Sequence, residues 1–231
     1  TIVKEPKIPG YLHVVDVDPD TGRSSLFREP QFFGPMGIER RGSSTGARAK
    51  ASYSLETRDL FAEDLDAALL GMPADADWVL YGPIEFDLAL LRNPFAYALS
   101  NQIGMYAVRT QFVEIFVNLD ASTIDRSNDY YGVYVFMEKI KRGPERVDVE
   151  RLLRTVREEP EITGGYVLQT TNIDEHFYSR RGVKFKFVDP KRQEREFSKQ
   201  RAWIRNHIND FESVLFGRDY KDPEEGFRKF I

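Results

Sequence analysis

Residues 111–140 read QFVEIFVNLDASTIDRSNDYYGVYVFMEKI, and this stretch decides the fold class. "QFVEIFVN" and "YGVYVFME" are dense in β-branched and aromatic residues, and a polar loop from about Leu119 to Asp129 joins them. The pattern predicts a β-hairpin in the middle of a sheet. Working outward, other segments also read as strands. "YLHVVDV" and "SSLF" flank the turn Asp18-Pro19-Asp20-Thr21-Gly22. Ala49, Ala51, Tyr53 and Leu55 alternate with Lys50, Ser52, Ser54 and Glu56, which predicts a strand with one polar face. "GGYVLQTT" and "GVKFKFVDP" add two strands towards the C-terminus.

Helical periodicity appears in four places. Leu60, Phe61, Leu65, Ala68 and Leu69 predict a helix stopped by Gly71 and Pro73. Asn93-Pro94 reads as an N-cap and first turn, with Phe95, Leu99 and Ile103 following at every fourth position up to Gly104. Asp148 could cap a short helix carrying Val149, Leu152, Leu153 and Val156. A longer helix runs from about Lys199 to Phe216, with Trp203, Ile204, His207, Ile208, Phe211, Val214 and Leu215 on one stripe. The expected class is α+β, with a mainly antiparallel sheet lobe over 1–145 and the start of a more helical lobe over 146–231. The boundary falls where "RGPER" interrupts the hydrophobic pattern.

Composition narrows the function classes. The 231 residues are 41% hydrophobic and 30% charged, as in a soluble globular chain. The formal net charge of −4 argues against a nucleic-acid binder, which needs a basic face. No apolar run approaches a membrane span. Cysteine is absent, which excludes disulfides, thiolate metal sites and cysteine nucleophiles. Asp16, Asp18 and Asp20 suggest calcium, but the Gly and Glu spacing of an EF-hand loop is missing and the segment reads as a turn. His13, His176 and His207 are far apart, and His207 lies on an apolar helix stripe. No Walker loop, G-x-G-x-x-G, H-R-D, D-F-G or nucleophile elbow occurs.

The chemically suggestive segment is Arg41-Gly42-Ser43-Ser44-Thr45-Gly46, followed by Arg48 and Lys50. Glycines allow successive N–H groups to point at an anion, the hydroxyls add donors, and the cations add charge. Alone, such a loop reads first as a solvated connection.

Five ordered blocks, from about Ile8 to the end, resemble the CotH kinase family, named for a bacterial spore-coat protein. "IERRGSSTGARAKASYSLET" is similar to its R-G-N-S-S…K-K-S-Y stretch. "DWVLYGPIEFDLALLRNPFAYALSNQIG" resembles its W-V-L…D-x-x-L-L-R-N block, and "VEIFVNLD…YYGVYVFMEKIKRGPERVDV" its L-x-V-N-G-x-Y-x-G-V-Y…E-K-I block. "ITGGYVLQTTNIDE" and "FKFVDPKRQEREFSKQRAWIRNHINDFESVLF" resemble those that follow. Ser43 stands where the family usually has Asn.

The resemblance implies an atypical protein-kinase fold that uses ATP and Mg²⁺ to phosphorylate Ser on protein substrates such as coat or surface proteins. A spore-coat or extracytoplasmic location goes with it. On that template Arg41, Gly42, Ser43 and Ser44 lie over the phosphates and Lys50 meets them. Glu138 sits near the nucleotide or braces a cation beside it, while Asp87, Arg92 and Asn93 belong to a helix region behind the site. Lys50 could instead be a solvated strand lysine, and Glu138 could pair with Lys139, Lys141 or Arg142. Tyr131, Tyr134 and Phe136 read as core rather than an adenine shelf. The family's N-x-D catalytic element and metal-holding W-D-x-D element lie downstream of "GFRKFI". No catalytic or metal-binding residue is therefore expected within these residues, and the domain reads as truncated. A non-catalytic pseudokinase or coat-assembly scaffold is the alternative. A carbohydrate-binding β-rich module, suggested by the 13% aromatic content, has no motif behind it.

Overall fold

A computed structural model describes residues 2–42, 48–82, 87–170, 177–191 and 197–230. The chain divides into two compact units, Thr1–Ile140 and Lys141–Ile231. The fold is α+β.

Unit 1 is built on a curled antiparallel sheet. Its strands are β1 (Ile8–Val14), β2 (Phe32–Arg41), β3 (Ser52–Thr57), β4 (Asp77–Tyr81), β5 (Thr110–Phe116) and β6 (Tyr130–Glu138), in the order β1-β2-β3-β4-β6-β5. The hairpin expected from residues 111–140 is present as β5 and β6, with a one-turn helix α2 (Arg126–Asp129) in its loop. It lies at the side of the sheet rather than its middle, because β4 pairs with β6 and leaves β5 as an edge. "SSLF" forms no strand; the partner of β1 is β2.

The register places Leu55 opposite Trp78 and Trp78 opposite Glu138. Side chains on that face, including Ile38, Tyr53, Leu55, Trp78, Leu80, Tyr134 and Phe136, form the main core. Trp78 stacks on Phe136 with ring centroids 5.0 Å apart, and its indole N–H donates to the Asp75 carbonyl. A buried Trp contributes heavily because it removes so much apolar surface from water. The polar face expected for β3 exists, but it is buried: Ser52 and Ser54 are both covered, and the Ser52 hydroxyl accepts the Gly82 N–H at 3.1 Å. On that face Val79, Val108 and Met137 form a second cluster with Tyr81 and Tyr97.

The helix expected from Leu60 does not form. The Asp59 carboxylate accepts the N–H groups of Phe61 and Glu63, and Ala62 turns to φ 66°. A side-chain turn of this kind competes directly with helical hydrogen bonding. Isolated bridges Arg58↔Asp64 and Ala67↔Asp75 complete the loop, leaving Leu60 and Phe61 exposed. Helix α1 spans Arg92–Gln102, but Asn93 is not its cap. The buried Asp87 carboxylate accepts the Arg92 N–H at 2.7 Å from five residues upstream, so Asn93 falls within the first turn. Phe95, Leu99 and Ile103 face outward.

Unit 2 holds a three-stranded sheet, β7 (Val167–Thr170), β9 (Lys184–Asp189) and β8 (Phe177–Tyr178) in that order, and helix α3 (Ser198–Leu215). Its core is Phe177, Phe187 and Ile204, with Tyr166, Trp203 and Ile208 against them. His207 stacks on Trp203 at 5.0 Å, in keeping with a packed role. Residues 148–156 form turns instead of a helix. The Gln200 side-chain amide donates to the carbonyls of Leu153, Arg154 and Val156, groups a helix would use internally. No helix among the described residues is long and apolar enough to cross a membrane.

Candidate functional site

Strand β2 ends at Arg41, which pairs with Ser52 at the start of β3. Gly42 follows at φ 101°, a conformation open to glycine and strained for other residues, so the chain leaves the sheet there by means of its missing Cβ. Ser43 and Ser44, expected over the phosphates, lie outside the described residues. The chain is described again from Arg48, and Lys50 sits two residues before β3 rather than on it.

Lys50 is half-buried. Its ammonium donates to the Val133 carbonyl at 2.5 Å and lies 4.8 Å from the centre of the Tyr134 ring. Glycine makes room for it: a Cβ on Gly82 would stand 3.1 Å from Lys50 Cγ and 2.6 Å from Tyr134 Cε1. Burial holds the amine below the ordinary lysine value near 10.5. Among the described residues its partners are one carbonyl and one ring, and neither carries a formal negative charge.

Further cations gather at this end of the sheet. From Arg40 to Leu55 the chain has Arg40, Arg41, Arg48 and Lys50 and no acidic residue, within a chain of net charge −4. Arg40 donates to the Arg48 carbonyl at 3.2 Å and opposes the upward shift that burial imposes on the Tyr53 hydroxyl. Tyr53 and Tyr134 approach to 6.2 Å between ring centroids. Arg41 is exposed, and its charge acts on Tyr97 of α1, on the sheet face opposite Tyr134. Arg41 and Lys50 therefore share one end of the sheet but serve different faces. Motif reading singled out Arg41 and Lys50 and missed Arg40; the acid-free run around it was the available signal.

Glu138 belongs to the other end. Its side chain is 0% exposed, between the Trp78 position and the close of β6. It accepts from the Arg109 guanidinium at 2.7 Å, the Arg109 backbone N–H at 2.9 Å and the Tyr106 hydroxyl at 3.1 Å. Its ion-pair partner is Arg109. Neighbouring Lys139, one of the partners considered from sequence, instead binds Asp77 at 2.8 Å. Four residues of strand separate Glu138 from Tyr134, about 13 Å at roughly 3.3 Å per residue. Buried Tyr134 and Phe136 belong to the core along that interval. The structure thus brings Arg41, Gly42 and Lys50 to one end and sets Glu138 at the opposite end. Arg109 and Tyr106 were not legible as its partners because their contact depends on how β5 approaches β6.

Asp87 and Arg92 set the start of α1, as the bond from the Arg92 backbone N–H to the Asp87 carboxylate shows, and Asn93 acts on the Tyr81 hydroxyl. Among the described residues no group of three Asp, Glu or His side chains is placed to hold a metal ion.

A curled antiparallel sheet, one helix on its second face and a cation-rich hairpin end define an α+β domain in outline. The family model for CotH kinase protein matches residues 38–231, beginning within β2 and covering both units. The chain belongs to the CotH kinase family. None of the curated proteins compared with the chain matches it.

Proposed function

We propose that this CotH-family domain holds the phosphates of ATP at the Arg41–Lys50 end of the unit 1 sheet, for transfer to Ser hydroxyls of protein substrates. The observation that carries the proposal is Lys50. Among the described residues a carbonyl and a ring meet this half-buried ammonium; burial disfavours its charge and neither partner carries a negative charge to restore it. A phosphate oxygen would restore it. Arg40, Arg41 and Arg48 add to the attraction, and phosphoryl transfer depends chiefly on positioning and on neutralising spread negative charge.

Each residue has a distinct task under this proposal. Lys50 supplies the fixed positive charge, held in place by Val133 and Tyr134. Gly42 lets the backbone turn towards the ligand without a side chain in the way. Arg41, at the same end of the sheet but beside Glu39 and Tyr97 on its other face, adds positive charge there. Ser43 and Ser44 add hydroxyls to the same loop. Glu138 acts at a distance by fixing Arg109 and the end of β6. Bound together with ATP, Mg²⁺ would supply further positive charge against the phosphates. The described residues form no set that fits it, and no step is assigned through it.

Calorimetric titration with Mg·ATP tests the proposal. Wild-type protein is expected to show one saturable site, and Lys50→Met to weaken it at least about tenfold, close to 1.4 kcal/mol. Equal affinity in the two proteins contradicts the assignment.

A further inference from the structure

The residues ahead of β1 do more than lead into the sheet. Ile2 is 7% exposed and belongs to the same buried cluster as Tyr53 and Tyr134. Beside it, the Val3 carbonyl accepts the Arg40 N–H at 2.7 Å. The β1–β2 ladder itself begins at the Ile8–Ile38 pair, so this bond carries the cover of β2 further towards Arg41. Lys4, Glu5 and Pro6 stand exposed in between, and Pro6 has no N–H to offer the ladder. Lys7 fastens the other end: its ammonium lies 3.1 Å from Glu56 and 3.9 Å from Asp77, on the polar face of the sheet. Residues 2–7 thus clasp the edge of β2, with Ile2 in the core and Lys7 on the carboxylates. They lie upstream of the family-matched residues 38–231.

Arg40 connects this clasp to the phosphate end. Its backbone is held by Val3, and its guanidinium donates to the Arg48 carbonyl at 3.2 Å, two residues before Lys50. Arg40 also faces Tyr53 in the β2–β3 register, and Tyr53 lies 6.2 Å from Tyr134, the ring beside the Lys50 ammonium. We propose that residues 2–7 are a positioning strap for the candidate phosphate site: with Ile2 seated, Arg40 is fixed and holds residues 48–50 in place for the phosphates of ATP. Its role presupposes that ATP binds there, as proposed above, and adds control by a segment outside the phosphate loop. Two events that favour the same arrangement favour each other by the same factor, so ATP must tighten the strap as much as the strap tightens ATP.

Native-state amide exchange of the 231-residue chain, read at Arg40 by NMR, and titration with Mg·ATP compare wild type with Ile2→Ala and Leu12→Ala. Leu12 packs on the same core from the far end of β1, opposite Gly34, so its truncation costs stability and leaves the strap seated. Ile2→Ala should speed exchange at Arg40 about tenfold by local opening and weaken Mg·ATP about threefold or more. Leu12→Ala should leave the affinity unchanged. In wild type, saturating Mg·ATP should slow exchange at Arg40. Mg·ATP that binds wild type and Ile2→Ala equally, or that binds and leaves Arg40 exchange unaltered, overturns the strap and leaves the ATP site standing. Equal loss of affinity in Ile2→Ala and Leu12→Ala traces the effect to general stability and also overturns the strap. A wild-type chain that binds no Mg·ATP overturns both.

Discussion

Lys50 and Glu138 stand at opposite ends of one sheet, both partly or wholly removed from water, and their surroundings could hardly differ more. Glu138 receives a guanidinium, a backbone N–H and a phenol hydroxyl. Lys50 receives a carbonyl and the face of a ring. A buried charge met by three donors, one of them a guanidinium, is part of the framework, because a ligand would have to compete with existing bonds. An under-compensated charge, by contrast, leaves room for a ligand that brings the opposite charge, and the proposal above gives Lys50 that part. Both residues look alike as charged positions in family-like blocks. Their environments differ: Glu138 is enclosed by donors, and Lys50, on the proposal above, faces the phosphates.

The largest expected effects break the framework end. Arg109→Ala removes the counter-charge of buried Glu138, leaving it the backbone N–H of residue 109 and the Tyr106 hydroxyl, and should cost about 3 kcal/mol or more in urea unfolding. Glu138→Gln keeps the shape, removes the charge and should cost less, about 1–3 kcal/mol. The reverse order would show that Arg109 is not the main counter-charge. At the other end, Gly82→Ala forces a methyl against Tyr134 and Lys50; about 1–3 kcal/mol of overpacking is expected, along with weaker ATP binding from a displaced ammonium.

Lys50→Met sharpens the comparison from the opposite side. ATP affinity should fall about tenfold or more while the melting temperature changes little, since the charge removed is only partly buried and burial disfavours it. A clear loss of stability in this variant would move Lys50 into the framework class with Glu138. The smallest effect is one of pH. Folding lowers the Lys50 pKa, so the folded chain binds fewer protons there than the unfolded chain between the two values. The Lys50 contribution to stability should therefore rise as pH climbs through the folded value towards 10.5, while ATP affinity falls over the same window. Lys50→Met should flatten both trends.

Elements held by strong local pattern were legible in the sequence. The β5–β6 hairpin, β7, β9 and α3 follow from β-propensity or a helical stripe, and each appears close to its expected place. The failures have a common cause in side chains that capture backbone groups. Asp59 takes the N–H groups that a helix at Leu60 would need to leave in helical geometry. Asp87 reaches the first turn of α1 from outside it and displaces Asn93 from the cap. Gln200, remote in sequence, binds carbonyls of the segment after Asp148. Apolar spacing is blind to all three. The site divides in the same way. Arg41, Gly42 and Lys50 could be located from residue type and motif order, whereas the partners of Glu138 arise only from the pairing of distant strands.

The most direct measurement is the titration of the Lys50 ammonium itself. Heteronuclear NMR of lysine-labelled protein, with the Lys50 side-chain signal identified by its loss in Lys50→Arg, can follow its pKa with and without ATP. The free protein should titrate below the ordinary lysine value near 10.5, and saturating ATP should raise it as phosphate oxygens compensate the charge. A Lys50 signal that titrates identically in both states, while ATP is demonstrably bound, would contradict the placement of the phosphates at this end of the sheet.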